Sequence, residues 1–326
     1  MQNFVEIYAP LTGQKLKTVS AFLESRGLSY ENDAEICAVI WSDDGKIEAT
    51  GSLAGNVLKY IAVSESALGT GACASIVSEL VTRAHNLGRK HLFLYTKKEN
   101  EAMFSSLGFY KVVCTDKVLM MENKKGGIEK FLNDIKTETV DGQTVGAVVA
   151  NCNPFTNGHL YLIEKAASLC DTLHVFIVSE DRSYFKAEIR YDLAKKCTEH
   201  LKNVFVHKSE QYLVSYATVP AYFIKEKADI QNVQMDLDLC LFAKRIAPAL
   251  NIKKRFVGTE PFCAVTSLYN ERMKHILPQA GIEVIETERL DNISASEVRR
   301  AINNSDMEKI KTLVPKIVYE YIKSNT

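Results

Sequence analysis

The chain carries one turn sequence that decides its fold, Asn153-Pro154-Phe155-Thr156-Asn157-Gly158-His159, between an apolar run at 145–150 and an amphipathic run at 159–170. The first run is typical of a buried strand, and the second has helical spacing. A further apolar run at 173–178 follows after a helix-length interval, which predicts a βαβ unit. The turn is therefore expected at the carboxyl end of a parallel strand, where such folds bind ligands.

This turn has the features of an anion site. Gly158 allows the backbone to approach a ligand closely, and the first free N–H groups of the following helix carry partial positive charge. His159 falls in the first helical turn, where its imidazole can reach the same anion. The arrangement predicts a bound nucleotide phosphate, with Asn153 and Phe155 among the binding residues.

A second stretch, Ile293-Ser294-Ala295-Ser296-Glu297-Val298-Arg299-Arg300, supports the same prediction. Ser294 followed three residues later by Glu297 is a capping-box pattern, so a helix is expected to begin there. The two arginines would then oppose the helix dipole in its first turns. A solvated arginine pair is one explanation. The other is a triphosphate held by Arg299, by the Ser296 hydroxyl and by backbone N–H groups.

Both stretches resemble the signature motifs of the nucleotidylyltransferases. The first is similar to their His-x-Gly-His motif, with Thr156 at the first histidine and with Gly158 and His159 matching directly. The second is similar to Ile-Ser-x-Thr/Ser-x-x-Arg. The resemblance implies a Rossmann-like parallel-sheet domain in which His159, Thr156 and Arg299 are catalytic and Ser294 and Ser296 bind the nucleotide.

Composition limits the function. The chain has 326 residues, 46% of them hydrophobic, which is enough for two domains with packed cores. Forty basic and forty acidic residues cancel, so no nucleic-acid partner is expected. Neither a signal-peptide pattern nor a membrane-spanning apolar run is visible, which predicts a cytoplasmic protein with no membrane partner. The eight cysteines have no metal-ligand spacing, so no protein-bound metal site is expected.

Polar and glycine residues at 122–127 predict a boundary between a domain at 1–126 and a domain at 127–326. The first domain has a predicted hairpin and further strands and helices, and it is similar to the Gcn5-related acetyltransferases. Their pyrophosphate-binding loop corresponds to Ser66-Ala67-Leu68-Gly69-Thr70-Gly71. Gly69 and Gly71 fit that loop, whereas Ser66 replaces its usual Gln or Arg. The resemblance implies a mixed α/β fold and a coenzyme pyrophosphate site at the two glycines.

The whole chain resembles the citrate (pro-3S)-lyase ligase family, also called acetate:citrate lyase thiol ligases. Besides the two motifs, the resemblance rests on the blocks 212–223, 237–242, 255–262 and 265–270. It implies that ATP, with Mg²⁺ bridging its phosphates, activates acetate as acetyl-adenylate. The acetyl group then passes to the thiol of a phosphoribosyl-dephospho-coenzyme A group on the citrate lyase acyl carrier subunit, and AMP and pyrophosphate are released.

Further positions are candidate ligand contacts. Lys186 and Arg190, after the second strand of the βαβ unit, are expected to contact phosphate, although solvated surface is an equal alternative. Gly258 and Glu260 end a predicted strand at its ligand-binding edge, and Glu260 is expected to contact ribose or adenine. Asp238 lies in an apolar helical segment, where ordinary helix surface is favoured slightly over a substrate role.

Two other classes of function remain open from the sequence. The second domain could be a plain adenylyltransferase that acts on a mononucleotide or on phosphopantetheine, with the first domain as a coenzyme-binding regulator. Alternatively, the whole protein could be a non-catalytic coenzyme sensor. The products formed from ATP and acetate distinguish these possibilities.

Overall fold

The computed structural model describes residues 4–140, 142–179, 183–213, 220, 222–224, 229–261, 263–290 and 293–325. The chain divides into two compact units, Met1–Gly127 with Val219–Leu237, and Ile128–Thr218 with Asp238–Thr326. The sequence predicted one division, between 126 and 127. It did not predict that residues 219–237 return to the first unit. Much of the block 212–223, and the single position 262, lie outside the described residues.

The first unit is built on a seven-stranded mixed sheet. Its strands are β1 (Val5–Tyr8), β2 (Ile36–Trp41), β3 (Ile47–Ala54), β4 (Val57–Val63), β5 (Phe93–Thr96), β6 (Tyr110–Cys114) and β7 (Leu119–Glu122), and its helices are α1 (Gly13–Ser25), α2 (Ala72–Asn86) and α3 (Glu101–Ser106). The order is β1-β2-β3-β4-β5-β7-β6. Neighbouring strands are antiparallel except β4 and β5, which are parallel and pair only at Val57–Phe93 and Leu58–Leu94. The predicted mixed α/β fold is confirmed.

The second unit is built on a five-stranded parallel sheet. Its strands are β8 (Val145–Ala150), β9 (Thr172–Ile177), β10 (Val204–Lys208), β11 (Lys254–Gly258) and β12 (Glu283–Thr287). Its helices are α4 (Gly127–Thr137), α5 (Asn157–Ala167), α6 (Ala187–Thr198), α7 (Ile230–Leu241), α8 (Ala247–Ala249), α9 (Ala264–Ile276), α10 (Ala295–Asn303), α11 (Met307–Leu313) and α12 (Lys316–Asn325). The division between the two units falls within α7. The Rossmann-like parallel sheet expected from the sequence is confirmed.

The strand order of this sheet, β10-β9-β8-β11-β12, sets the position of the ligand site. From the central strand β8, the chain adds β9 and then β10 on one side. It then returns across the sheet and adds β11 and β12 on the other side of β8. Connections leave the carboxyl ends of β8 and β11 in opposite directions, which opens a crevice between them. The predicted motif turn follows β8, so it lies at this crevice.

One buried core brings the two sequence motifs together. Phe155 and Ile163, from the first motif and α5, pack in the same cluster as Val298 and Ala301 of α10. Phe256 of β11 belongs to this cluster as well. Burial of these side chains stabilises the docking of α5 and α10 on one face of the sheet. Both helices therefore begin near the crevice.

Among the residues that the structure describes, no helix combines the length and apolarity that crossing a membrane requires.

Candidate active site

A cavity of about 260 Å³ lies at the carboxyl ends of β8 and β11. Side chains and backbone from the turns after β8, β11 and β12 and from the first residues of α5 and α10 line it. The predicted residues that line it are Thr156, Gly158, His159, Gly258, Glu260 and Ser294. The two motifs, about one domain apart in sequence, therefore contribute to a single site.

The start of α5 holds His159 in one orientation. Thr156 is the N-cap residue, and its hydroxyl oxygen accepts a hydrogen bond from the His159 backbone N–H at 3.3 Å. The Thr156 backbone N–H donates in return to His159 Nδ1 at 3.0 Å, and the Thr156 hydroxyl oxygen lies 2.8 Å from the same nitrogen. These reciprocal bonds form a capping box. Thr156 is 1% exposed, so it acts as a positioning residue for His159.

Burial determines the protonation state of the imidazole, and the same bonds determine its tautomer. Burial, and to a smaller extent the charge of Arg289, lowers the pKa of His159 to about 4. The ring is therefore neutral at physiological pH. Since Nδ1 accepts the Thr156 N–H, the one ring proton is on Nε2. His159 thus offers a neutral N–H donor within the lining of the cavity.

Two glycines at the site have different surroundings. A Cβ atom at Gly158 would meet Ile293 O at 3.5 Å and Thr156 Oγ1 at 3.6 Å, which are ordinary contacts. Gly158 therefore sits where the first motif packs against the second. A Cβ atom at Gly258 would meet no atom within 4 Å. The bare backbone at the end of β11 leaves open space beside the cavity.

The second motif is tied directly to the first by Arg299. Its Nη1 group donates to the Asn153 carbonyl oxygen, and its Nη2 group donates to Ser296 Oγ at 2.9 Å. Ser294 caps α10 by accepting the Glu297 backbone N–H at 3.1 Å. Both partners of Arg299 are neutral groups, so they orient the guanidinium without cancelling its charge.

Three residues that the sequence predicted to contact phosphate or nucleotide are not among those that line the cavity. The Arg190 side chain is 0% exposed. Its Nη1 donates to Asn151 O at 2.7 Å, to Asn151 Oδ1 at 2.6 Å and to Val178 O at 2.7 Å. The structure does not support a phosphate contact for Arg190, because these bonds occupy its guanidinium and hold the ends of β8 and β9. Phe155 is fully buried in the core, and Lys186 is exposed at the start of α6.

Glu260 has protein partners that the sequence did not predict. Its carboxylate pairs with the Arg289 guanidinium and accepts the Cys263 backbone N–H at 3.2 Å. Arg289 follows β12 and lines the cavity, and its backbone N–H donates to Thr259 Oγ1 at 3.2 Å. If the sequence analysis had predicted the strand at 283–287, it would have identified Arg289 as a candidate. Residues that follow a parallel strand lie at the ligand-binding edge of the sheet.

Asp238 is not ordinary helix surface, contrary to the interpretation favoured from the sequence. Its carboxylate accepts a hydrogen bond from the Tyr269 hydroxyl. Burial raises the pKa of Asp238, while the Tyr269 hydrogen bond and the Arg255 charge oppose that shift. Arg255 and Tyr269 both line the cavity, and sequence analysis missed both. A basic residue inside an otherwise apolar strand was the available signal.

The first unit has its own cleft beside the predicted glycine turn. Gly69 and Gly71 have φ angles of 76° and 86°, a conformation that favours glycine. The hydroxyl oxygens of Ser66 and Ser64 lie 3.0 Å apart and share a hydrogen bond. A cavity of about 270 Å³ lies where the pairing of β4 with β5 ends, and Leu68 lines it.

Together, the parallel sheet, the His159 turn and the Arg299 helix define a nucleotidyltransferase-type α/β site. The family described as "Citrate lyase ligase C-terminal domain" matches residues 145–322. The chain is also similar to citrate (pro-3S)-lyase ligases from Escherichia coli K12 (39% identity over 95% of this chain and 91% of that one), Klebsiella pneumoniae (40%, 92% and 90%) and Haemophilus influenzae (37%, 95% and 96%). The chain belongs to the citrate lyase ligase family.

The unusual pKa of His159 gives a direct test of the site geometry. We expect its Cε1–H signal, assigned by its loss in His159→Asn, to show no titration between about pH 8 and 5.5 and to have a midpoint near 4. In the unfolded chain the same histidine should titrate near 6.5. The unfolded chain binds the proton first, so His159 lowers stability as the pH falls from about 6.5 towards 4. A native midpoint near 6.5 would contradict the buried, neutral assignment.

Proposed function

We propose that this chain activates acetate with ATP and transfers the acetyl group to the prosthetic-group thiol of the citrate lyase acyl carrier subunit. Acetyl-adenylate is the intermediate, and pyrophosphate and AMP are the products of the two steps. The proposal places this reaction in the cytoplasm, where ATP is supplied. Membership of the citrate lyase ligase family supports it.

One observation carries the proposal, namely the contact between the two motifs at a single cavity. Arg299 of the second motif donates to the Asn153 carbonyl of the first. A neutral His159 lines the cavity together with Ser294 and Ala295, which begin the helix that carries Arg299 further along. A cation and a neutral donor in the first two turns of two helices that begin at one cavity suit a polyphosphate whose charge redistributes during reaction.

The first step needs positioning and charge stabilisation. An acetate oxygen attacks the α-phosphorus of ATP, and no proton is removed because the carboxylate is already ionised at pH 7. His159 Nε2–H donates to an α-phosphate oxygen as negative charge builds up on it. Because burial keeps the pKa of His159 near 4, the residue acts as a fixed donor and does not exchange its proton with the substrate.

The leaving pyrophosphate is stabilised by the second motif. Arg299, the Ser296 hydroxyl and the free N–H groups at the start of α10 are the groups that hold the β- and γ-phosphates. Cleavage of the α–β bond increases negative charge on the pyrophosphate. A cation already oriented by Asn153 and Ser296 stabilises that charge without reorganisation.

Magnesium fits this site as a partner of the triphosphate. No group of three or more His, Cys, Asp or Glu side chains in the described part of the chain could hold a metal ion. Mg²⁺ keeps several waters and binds through phosphate oxygens, so it does not need such a group. When bound, it would screen the charge of the triphosphate.

The second step transfers the acetyl group to sulfur. The acceptor thiolate attacks the acetyl carbon of acetyl-adenylate, the carbon–sulfur bond forms, and AMP leaves with the electron pair of the broken carbon–oxygen bond. The acceptor arm is a coenzyme A derivative, and the glycine turn at 69–71 in the first unit is suited to its pyrophosphate. Open backbone at both glycines supports this role, since a Cβ at either would meet no atom within 4 Å.

The function is tested by acetate-dependent exchange of labelled pyrophosphate into ATP. The wild-type chain should catalyse it, and His159→Ala should lower the rate by about 100- to 1,000-fold, the usual loss for one transition-state donor. Circular dichroism establishes that the variant is folded. Near wild-type exchange in a folded His159→Ala chain would refute the role. Dinucleotide formation from a mononucleotide would favour the adenylyltransferase alternative, and no turnover of ATP would favour a sensor.

Arg299 can be tested against its neighbour. Arg299→Ala should raise the KM for ATP and lower kcat in pyrophosphate exchange, because a phosphate clamp acts before and during the transition state. Arg300→Ala is the matched control, since Arg300 is the next residue of the same helix and is exposed. Equal effects of the two substitutions would mean that general surface charge, and not the clamp, determines ATP use.

The glycine turn of the first unit can be tested separately. Gly71→Glu should raise the KM for the acyl carrier protein by about tenfold or more, because the carboxylate repels the pyrophosphate of the arm. Acetate-dependent pyrophosphate exchange should be unchanged. Gly71→Ala is the control, since it carries the same strain at a φ of 86° without the charge. The same KM in both variants would leave the turn with a structural role only.

A further inference from the structure

Arg255 is a buried cation with unused hydrogen-bonding capacity. It lies in β11, is 4% exposed, and lines the active-site cavity. Its Nε–H group is buried and has no hydrogen-bond partner among the residues that the structure describes. A buried donor without a partner destabilises a folded protein, and it does so more when the group is charged. Such a group is expected to have a ligand as its partner.

The surroundings of Arg255 leave one side of its guanidinium available. The guanidinium carbon lies 4.5 Å from the centre of the Phe242 ring, so one face stacks on the aromatic ring. The Asp238 carboxylate, whose charge acts on Arg255, accepts a hydrogen bond from Tyr269. No salt bridge of Arg255 is found among the described residues, although the charge of Asp238 opposes the lowering of the Arg255 pKa by burial. Arginine remains charged even when buried, so the cavity wall holds a positive charge that no salt bridge within the described residues neutralises.

We infer that Arg255 binds the carboxylate of the acid substrate and that Val257 and Met273 contact its short alkyl group. The inference rests on the proposed function and identifies where the activated acid is held. Nε and one Nη nitrogen form the edge of a guanidinium that matches two carboxylate oxygens. Val257 is two residues along β11 and on the same face as Arg255, and Met273 is on the face of α9 that carries Tyr269. All four line the cavity.

The location favours a carboxylate over the triphosphate. The phosphate-binding groups are at the starts of α5 and α10, at the carboxyl edge of the sheet. Arg255 is three residues before Gly258, the last residue of β11, which is about 10 Å along a strand. Val257 and Met273 are buried apolar side chains. They suit a methyl group and not a second charged phosphate.

Arg255→Met provides the test in the full-length protein. In acetate-dependent pyrophosphate exchange, the KM for acetate should rise about 10- to 100-fold, as expected for loss of a charge-assisted pair of hydrogen bonds. The KM for ATP should change by no more than about threefold. Acetate, compared with chloride at equal ionic strength, should raise the unfolding midpoint of the wild type and not that of the variant.

Two further variants make the result decisive. Arg255→Lys keeps the charge but loses the planar pair of donors, so its KM for acetate should be intermediate. Lys254→Met is the matched control, because Lys254 is the adjacent strand residue, on the opposite face, and donates to Leu169 O at 3.3 Å. Its KM for acetate should equal that of the wild type.

The outcomes separate this inference from the proposed function. A larger effect of Arg255→Met on ATP than on acetate would assign Arg255 to phosphate and overturn the inference. Unchanged acetate KM would overturn it while leaving the function intact. If the wild type shows no acetate-dependent exchange, yet acetate raises its unfolding midpoint only when Arg255 is present, the function fails and the carboxylate site stands.

Discussion

The hydrogen bond from the Thr156 backbone N–H to His159 Nδ1 is the interaction on which the rest of the site depends. Burial keeps the imidazole neutral, and this bond places its one ring proton on Nε2. A protonated ring would lose the acceptor for this bond and with it the capping box that begins α5. Local backbone geometry and the chemistry of the donor are therefore one constraint, and a charged histidine is incompatible with both.

The turn that carries His159 is also held in place by a buried arginine. Arg190 donates to Asn151 and to Val178, which lie just beyond the carboxyl ends of β8 and β9. Carbonyl groups at the end of a parallel strand have lost their ladder partners and need donors. A guanidinium supplies several in one plane. Phe185, whose carbonyl also accepts from Arg190, donates its N–H to Asn153 Oδ1 at 3.0 Å, so these bonds hold the beginning of the motif turn.

Local periodicity was sufficient to predict the parts of the fold that form a continuous segment. The strand at 145–150 and its helix were predicted because burial and helical spacing are encoded in consecutive residues. The return of residues 219–237 to the first unit depends on long-range packing, which no local pattern reports. The same limit applies to Arg190. A basic residue at a helix start has the same sequence signal whether it contacts phosphate or is buried under a turn. Only the structure, in which Nε donates to Phe185 O and Nη1 donates to Asn151 Oδ1, distinguishes the two.

Three arginines of the second unit have different roles because their partners differ. Arg289 faces a carboxylate, Glu260, so its charge is largely compensated within the protein. Arg299 faces a carbonyl and a hydroxyl, which orient it but leave its charge for an anion. Arg255 stacks on Phe242 and keeps an unpaired Nε–H. Positive charge is thus offered at two places, one beside the helix N-termini and one further back along β11. A reaction between a carboxylate and a polyphosphate brings two anions together, and two separate cations reduce that repulsion while keeping the reactants in distinct positions.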